Sequence, residues 1–179
     1  MQDDLKLTKL ERIFLINQLR ILEALYPREA EKLSIQREAF ECGYELLYGL
    51  WSEYIADGDD KMAAEECQEV FNTMDMFDAI GRSKPDDLDV SEFPMTKFSG
   101  YDGNNETKFM AFAQFVVERW GRFQYLQMRE PRGWNAHQRV RNTYRQMLAI
   151  WTELPHDERF SMSPEQLKSV LSAAYYSEN

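Results

Sequence analysis

The chain has 179 residues, a formal net charge of −10, two cysteines and two histidines. A chain of this length hides roughly 70% of its unfolded surface on folding, so neither a disulfide nor a metal is required to hold it together. No stretch approaches the ~20 apolar residues of a membrane span, Met1-Gln2-Asp3-Asp4 lacks the basic and apolar regions of a signal peptide, and the acidic balance argues against general nucleic-acid binding; a cytoplasmic protein is expected.

The first helix opens on a capping box, Thr8 with Glu11, and runs to about Leu25, ahead of Pro27. On a 100° wheel Leu10, Ile13, Phe14, Ile21, Ala24 and Leu25 share one face, and Leu15, Leu19 and Leu22 lie opposite. A helix apolar nearly all round belongs inside a core or between subunits. The second helix starts near Pro27 and runs to Cys42, with a break at Gly43. The third covers Tyr44 to Ala56 with Leu47, Leu50, Trp51, Tyr54 and Ile55 inward, and Asp57-Gly58 ends it. The fourth runs from about Lys61 to Ile80, capped by Asp59 or Asp60, with Cys67, Val70, Phe71, Met74 and Phe77 on one stripe. Cys42 and Cys67 are expected as small buried hydrophobes.

Between Gly81 and Gly103 the prolines, glycines and the acidic run Asp86-Asp87-Leu88-Asp89 predict a long connector. The fifth helix runs from about Asn104 to Leu126, burying Phe109, Phe112, Ala113, Val116, Trp120 and Phe123 and leaving Phe115 and Leu126 outside its stripe. The sixth starts at Asn135 with Gln138 as a capping-box variant, carries Val140, Tyr144, Met147, Leu148, Trp151 and Leu154, and stops at Pro155. Ser163-Pro164-Glu165-Gln166 starts the seventh, followed by Leu167, Val170, Leu171 and Ala174. The expected class is all-α and multihelical, about seven helices, with an N-terminal half (1–80), a connector (81–103) and a C-terminal half (104–179).

The residues Arg12, Asn17-Gln18, Pro27, Glu41-x-Gly43-Tyr44, Phe98-x-Gly100-Tyr101-Asp102, Glu106, Gly121-Arg122, Gly133-Trp134-Asn135-Ala136, Tyr144, Met147-Leu148, Trp151 and Ser163 occur in an order that resembles the YfbU-like family of bacterial proteins. The likeness extends from about Leu10 to Ala174; the stretch 81–95 departs from the family's pattern, and nothing is carried over there. The resemblance implies a helical fold and a cytoplasmic setting, and it assigns no activity.

No phosphate loop, HExxH, GxSxG or cysteine-based zinc spacing occurs, and two histidines make a histidine-rich metal site unworkable. No cofactor is expected. The acids of the fourth helix, Glu65, Glu66, Glu69, Asp75 and Asp78, invite comparison with carboxylate pairs that hold magnesium. The wheel turns Glu65 and Glu69 to solvent and leaves only Asp78 in the apolar arc, with Arg82 four residues on as its partner. Asn17 sits near the centre of the Leu10–Ile21 arc, where an unpartnered amide would cost about 1–3 kcal/mol. Asn17, its neighbour Gln18 and Asp78 are therefore expected as buried, hydrogen-bonded polar groups, Asn17 bonded to a helix end or the connector in the preferred reading and lining an internal pocket in the other.

From Arg119 to Arg145 seven arginines stand against one acid, Glu130, a net of +6 that leaves −16 for the remainder. Arg132, Asn135, His137 and Arg139 cluster at the expected start of the sixth helix, where positive charge is unfavourable and an anion would be welcome. That anion is either a bound phosphate or a carboxylate of the chain itself, and the internal pair is the preferred reading. The function expected first is a non-catalytic, homo-oligomeric interaction or regulatory protein, since surplus apolar faces call for a partner. The alternative is an enzyme or sensor that binds a small phosphorylated ligand through the 119–145 segment.

Overall fold

In the computed structural model the described residues are 5–52, 54–56, 58–84, 92–126, 128 and 133–176. They form two units, 1–61 and 62–179. The fourth helix goes with the helices that follow it.

The first unit begins with α1 (Lys9–Leu25). Glu11 N–H donates to the Thr8 hydroxyl at 3.3 Å and Thr8 N–H to the Glu11 carboxylate at 2.7 Å, the expected capping box. Pro27 does not open α2, which spans Ala30–Cys42 after a turn; Gly43 ends it at φ +75°, a conformation that favours glycine. α3 is shorter than expected, Leu46–Ser52, and its inward residue is Tyr48. Of the predicted inner face of that helix, Leu50, Tyr54 and Ile55 are exposed.

α1 packs on α2 through Leu15, Ile16 and Leu19, against Leu33 and Phe40, with Tyr48 and Trp51 closing the cluster. Phe40 stacks on Tyr48 with centroids 4.9 Å apart. Arg37 of α2 reaches Glu23 of α1 at 2.8 Å and its own Glu41 at 3.1 Å, and Arg20 joins Glu41 at 3.1 Å. Such partly exposed pairs are screened by solvent and add little to stability. The Arg12 guanidinium donates to the Phe40 carbonyl, tying α1 to the end of α2. Cys42 is exposed, not buried as expected, because it lies on the outer side of the last turn of α2.

The second unit is built on α4 (Ala64–Ser83), α5 (Thr107–Gln114), α6 (Arg141–Glu153) and α7 (Pro164–Ser172). Its core collects Val70, Met74, Met76, Phe77 and Ile80 from α4 with Tyr144, Met147 and Trp151 from α6. Leu167, Val170 and Leu171 of α7 complete it. The N-cap position of α4 is Ala63, later than expected, and the Glu66 carboxylate accepts Ala63 N–H at 3.1 Å. α5 gives way at Phe115 to a π turn through Arg119, closed by Trp120 N–H on the Phe115 carbonyl, and Gly121 at φ +75° follows. The early stop leaves Trp120 exposed, contrary to the long fifth helix expected. α7 starts as predicted, with Ser163 and Gln166 capping each other across Pro164.

The described end of the predicted connector is part of the core. Met95, Phe98 and Tyr101 are buried among α4, α5 and α6, and Phe98 and Tyr101 each make an isolated bridge, to Met128 and Asn135. No strand occurs among the described residues, so the all-α class stands.

Candidate functional site

The start of α6 is where the sequence predicts an anion. Its first amides need acceptors, and no side chain of its own N-cap, Val140, supplies one. Glu106 does. Its carboxylate accepts Val140 N–H at 3.1 Å, Arg141 N–H at 2.9 Å and Asp102 N–H at 3.0 Å, with the residue only 7% exposed. A negative group at a helix start is also favoured by the helix dipole. The anion is thus the chain's own, and it comes from the residue that caps α5.

Around Glu106 the loop residues lock one another. The Asn135 side-chain oxygen accepts Gly103 N–H at 3.0 Å and His137 N–H at 2.8 Å, so Asn135 builds a turn rather than starting the helix. His137 adopts φ +57° in that turn. Tyr101 N–H donates to the Trp134 carbonyl at 2.9 Å, and Ala136 N–H returns to Tyr101 at 3.0 Å. Gly100 permits this approach: at φ +79°, a Cβ there would fall 1.8 Å from the Trp134 oxygen. Arg139 donates to Asn105 at 2.7 Å, and Asn105 in turn donates to Asp102. The Asn104 amide and the Asn105 side chain hold the Asp102 carboxyl below its ordinary range. Arg132 lies outside the described residues. Asn135, His137 and Arg139 are brought together, but as parts of a turn that is already satisfied.

The arginines further along α6 follow the same rule. Arg141 meets Glu69 through Nε and Nη2, both at 2.8 Å, and Arg145 meets the same carboxylate at 3.0 and 2.9 Å. Burial pushes Glu69 up, and the two guanidiniums more than reverse it, leaving the carboxyl below its ordinary range. Glu69 was expected to face solvent; α6 packs along α4 and covers it, which a wheel of α4 alone cannot register. Lys108 takes Glu66 at 2.8 Å, and Asp78 pairs with Arg82 at 2.7 Å as expected. Asp78 is half-buried.

An open cavity of about 570 Å³ lies against the π turn, between Val117, Glu118, Phe123, Leu126 and Trp134. Trp134 Nε1 donates to Glu118 at 2.6 Å and Gln114 donates to its other oxygen at 2.9 Å, so the polar end of the cavity is engaged. Nothing local in the sequence marks this cavity, because the π turn that opens it has no residue signature of its own.

The second candidate is the outer face of α1. Leu10, Ile13, Phe14, Ile21 and Leu25 are 44–65% exposed, forming one stripe along the helix. Asn17 and Gln18 are exposed as well. This corrects the expectation that they are buried: α2 takes the Leu15–Leu19 side of α1 and leaves the Leu10–Ile21 side open. A contiguous apolar patch beyond a few hundred Å² on a monomer marks an interaction surface.

A model of the YfbU domain matches residues 5–173. Over 173 residues the chain is 28% identical to the UPF0304 protein MJECS11 of Methanocaldococcus jannaschii, spanning 93% of this chain and 99% of that protein. Over 172 residues it is 27% identical to the UPF0304 protein MS2240 of Mannheimia succiniciproducens, spanning 94% and 100%. Neither name states an activity. With one domain model running from residue 5 to residue 173, through both units, the chain belongs to the YfbU family.

Proposed function

We propose that the protein is a cytoplasmic, non-catalytic helical protein that self-associates through the outer face of α1 and serves an interaction or regulatory role. The carrying observation is the exposed stripe of Leu10, Ile13, Phe14, Ile21 and Leu25 on a unit whose own core is small. Units of about 60 residues are marginal when they fold alone. This one buries Leu19, Phe40 and Tyr48 and leaves far more apolar surface outside. The five stripe residues, each 44–65% exposed, are the apolar surface that two copies would set against each other. Among the described residues no helix is long and apolar enough to cross a membrane.

The alternative, a small phosphorylated ligand held by the 119–145 segment, is disfavoured. Arg139, Arg141 and Arg145 already engage Asn105 and Glu69, and Glu106 occupies the helix start that would receive the phosphate. Light scattering tests the proposal. A mass that is a multiple of 21.2 kDa at micromolar concentration is expected; a 21.2 kDa species at every concentration would exclude it.

A further inference from the structure

The apolar stripe of α1 has a polar residue at its middle. Asn17 lies seven residues after Leu10 and eight before Leu25, on the same face as Phe14 and Ile21, and no hydrogen bond from its side chain to the chain is present among the described contacts. Covering the stripe therefore buries an amide, and burying it without a partner is unfavourable. A purely apolar partner would leave both its donor and its acceptor unmet. A carboxamide carries a donor and an acceptor together, so two of them face to face can exchange two hydrogen bonds.

We propose that the occupant of the α1 stripe is a second copy of this chain, related by a two-fold axis that passes beside Asn17, so that each Asn17 amide bonds its own counterpart. This rests on the self-association proposed above and adds to it the place of the axis. A second copy supplies the required matching amide automatically, at the one position where a two-fold axis can put it, because an isologous interface sets a surface patch against itself. The apolar residues on either side then pack against one another, and the pair of amides fixes register in the way a single polar residue does in a helical seam. A foreign helix would need a polar group placed by coincidence at the same point.

The test uses the full chain with Asn17→Asp and Asn17→Lys, each alone and mixed in equal amounts. Asn17 is exposed in the single chain, so both variants keep the helical circular dichroism of the wild type. Alone, each places like charges against each other at the axis, and association weakens on the order of tenfold or more. Mixed, they set Asp against Lys, and association returns to near the wild-type level. As a second readout, Asn17→Cys with Cys42→Ser forms a disulfide to its own counterpart under mild oxidant. Charged variants that associate as well as the wild type place Asn17 outside the interface. Charged variants that dissociate and do not recover on mixing place it inside but away from its counterpart. Either result overturns the position of the axis and leaves self-association standing, whereas a monomeric wild type removes both.

Discussion

Glu106 accepts three backbone amides of the second unit, and its removal has a calculable effect. In Glu106→Ala the amides of Asp102, Val140 and Arg141 lose their acceptor together. A buried donor left unmet costs about 1–3 kcal/mol, and the space vacated by the side chain admits water that relieves part of this. The expected loss is therefore about 3–5 kcal/mol, a large share of the 5–15 kcal/mol typical of a domain. Glu106→Gln keeps one acceptor oxygen but points an NH₂ group at the remaining amides, and should lose about 1–2 kcal/mol. Urea unfolding followed by circular dichroism gives both values, with unchanged slope if the unfolded state is unaffected. The vacated position also becomes a place for an external anion. Formate or phosphate should stabilise Glu106→Ala, by about 1.4 kcal/mol at ten times its Kd, and should leave the wild type unmoved. A Glu106→Ala variant within about 0.5 kcal/mol of the wild type would refute the capping argument, and a wild type stabilised by phosphate would show that the site is not filled from within.

Gly100→Ala should cost about 3 kcal/mol or more, because it adds both a left-handed strain and a clash with the Trp134 carbonyl; thermal melting reads the loss. Asp75 carries a pH-dependent expectation. Burial, and then the neighbouring Asp78, push its carboxyl above the ordinary range. Its folded pKa therefore exceeds its unfolded value, so ionised Asp75 weakens the fold above the folded pKa and has no such effect below the unfolded one, about 4. Asp75→Asn should accordingly raise the melting temperature at pH 7, with the gain vanishing towards pH 4 and below. A gain that is equal at both pH values would mean that charge is not its cause.

The features that could be read from the sequence are those decided within a few residues. The caps at Thr8–Glu11 and Ser163–Gln166 each close a ring of local hydrogen bonds, and both form as read. The α6 stripe from Val140 to Trp151 is buried as its spacing requires. What was missed depends on partners far along the chain. Asn135 has the spacing of an N-cap, yet its oxygen is claimed by Gly103, 32 residues earlier, and the helix starts six residues later with a carboxylate borrowed from Glu106. Glu69 has the wheel position of a solvent-facing acid, yet α6 lays two arginines on it. For α1 the wheel has two apolar faces of similar strength, and only the identity of the α2 surface decides which turns inward. The charge count of 119–145 points to an anion at the start of α6, and the carboxylate that accepts the amides there, Glu106, lies outside that count.

The outer face of α1 is proposed as an interface between copies of the chain. Phe14→Glu with Ile21→Glu addresses it directly, since both residues are about 60% exposed and neither is a buried member of the first unit's core. The measurement is the mass in solution of this variant beside the wild type, by sedimentation equilibrium. The account predicts a wild type heavier than one chain and a variant at 21.2 kDa with its helical content intact. A variant as heavy as the wild type would contradict it.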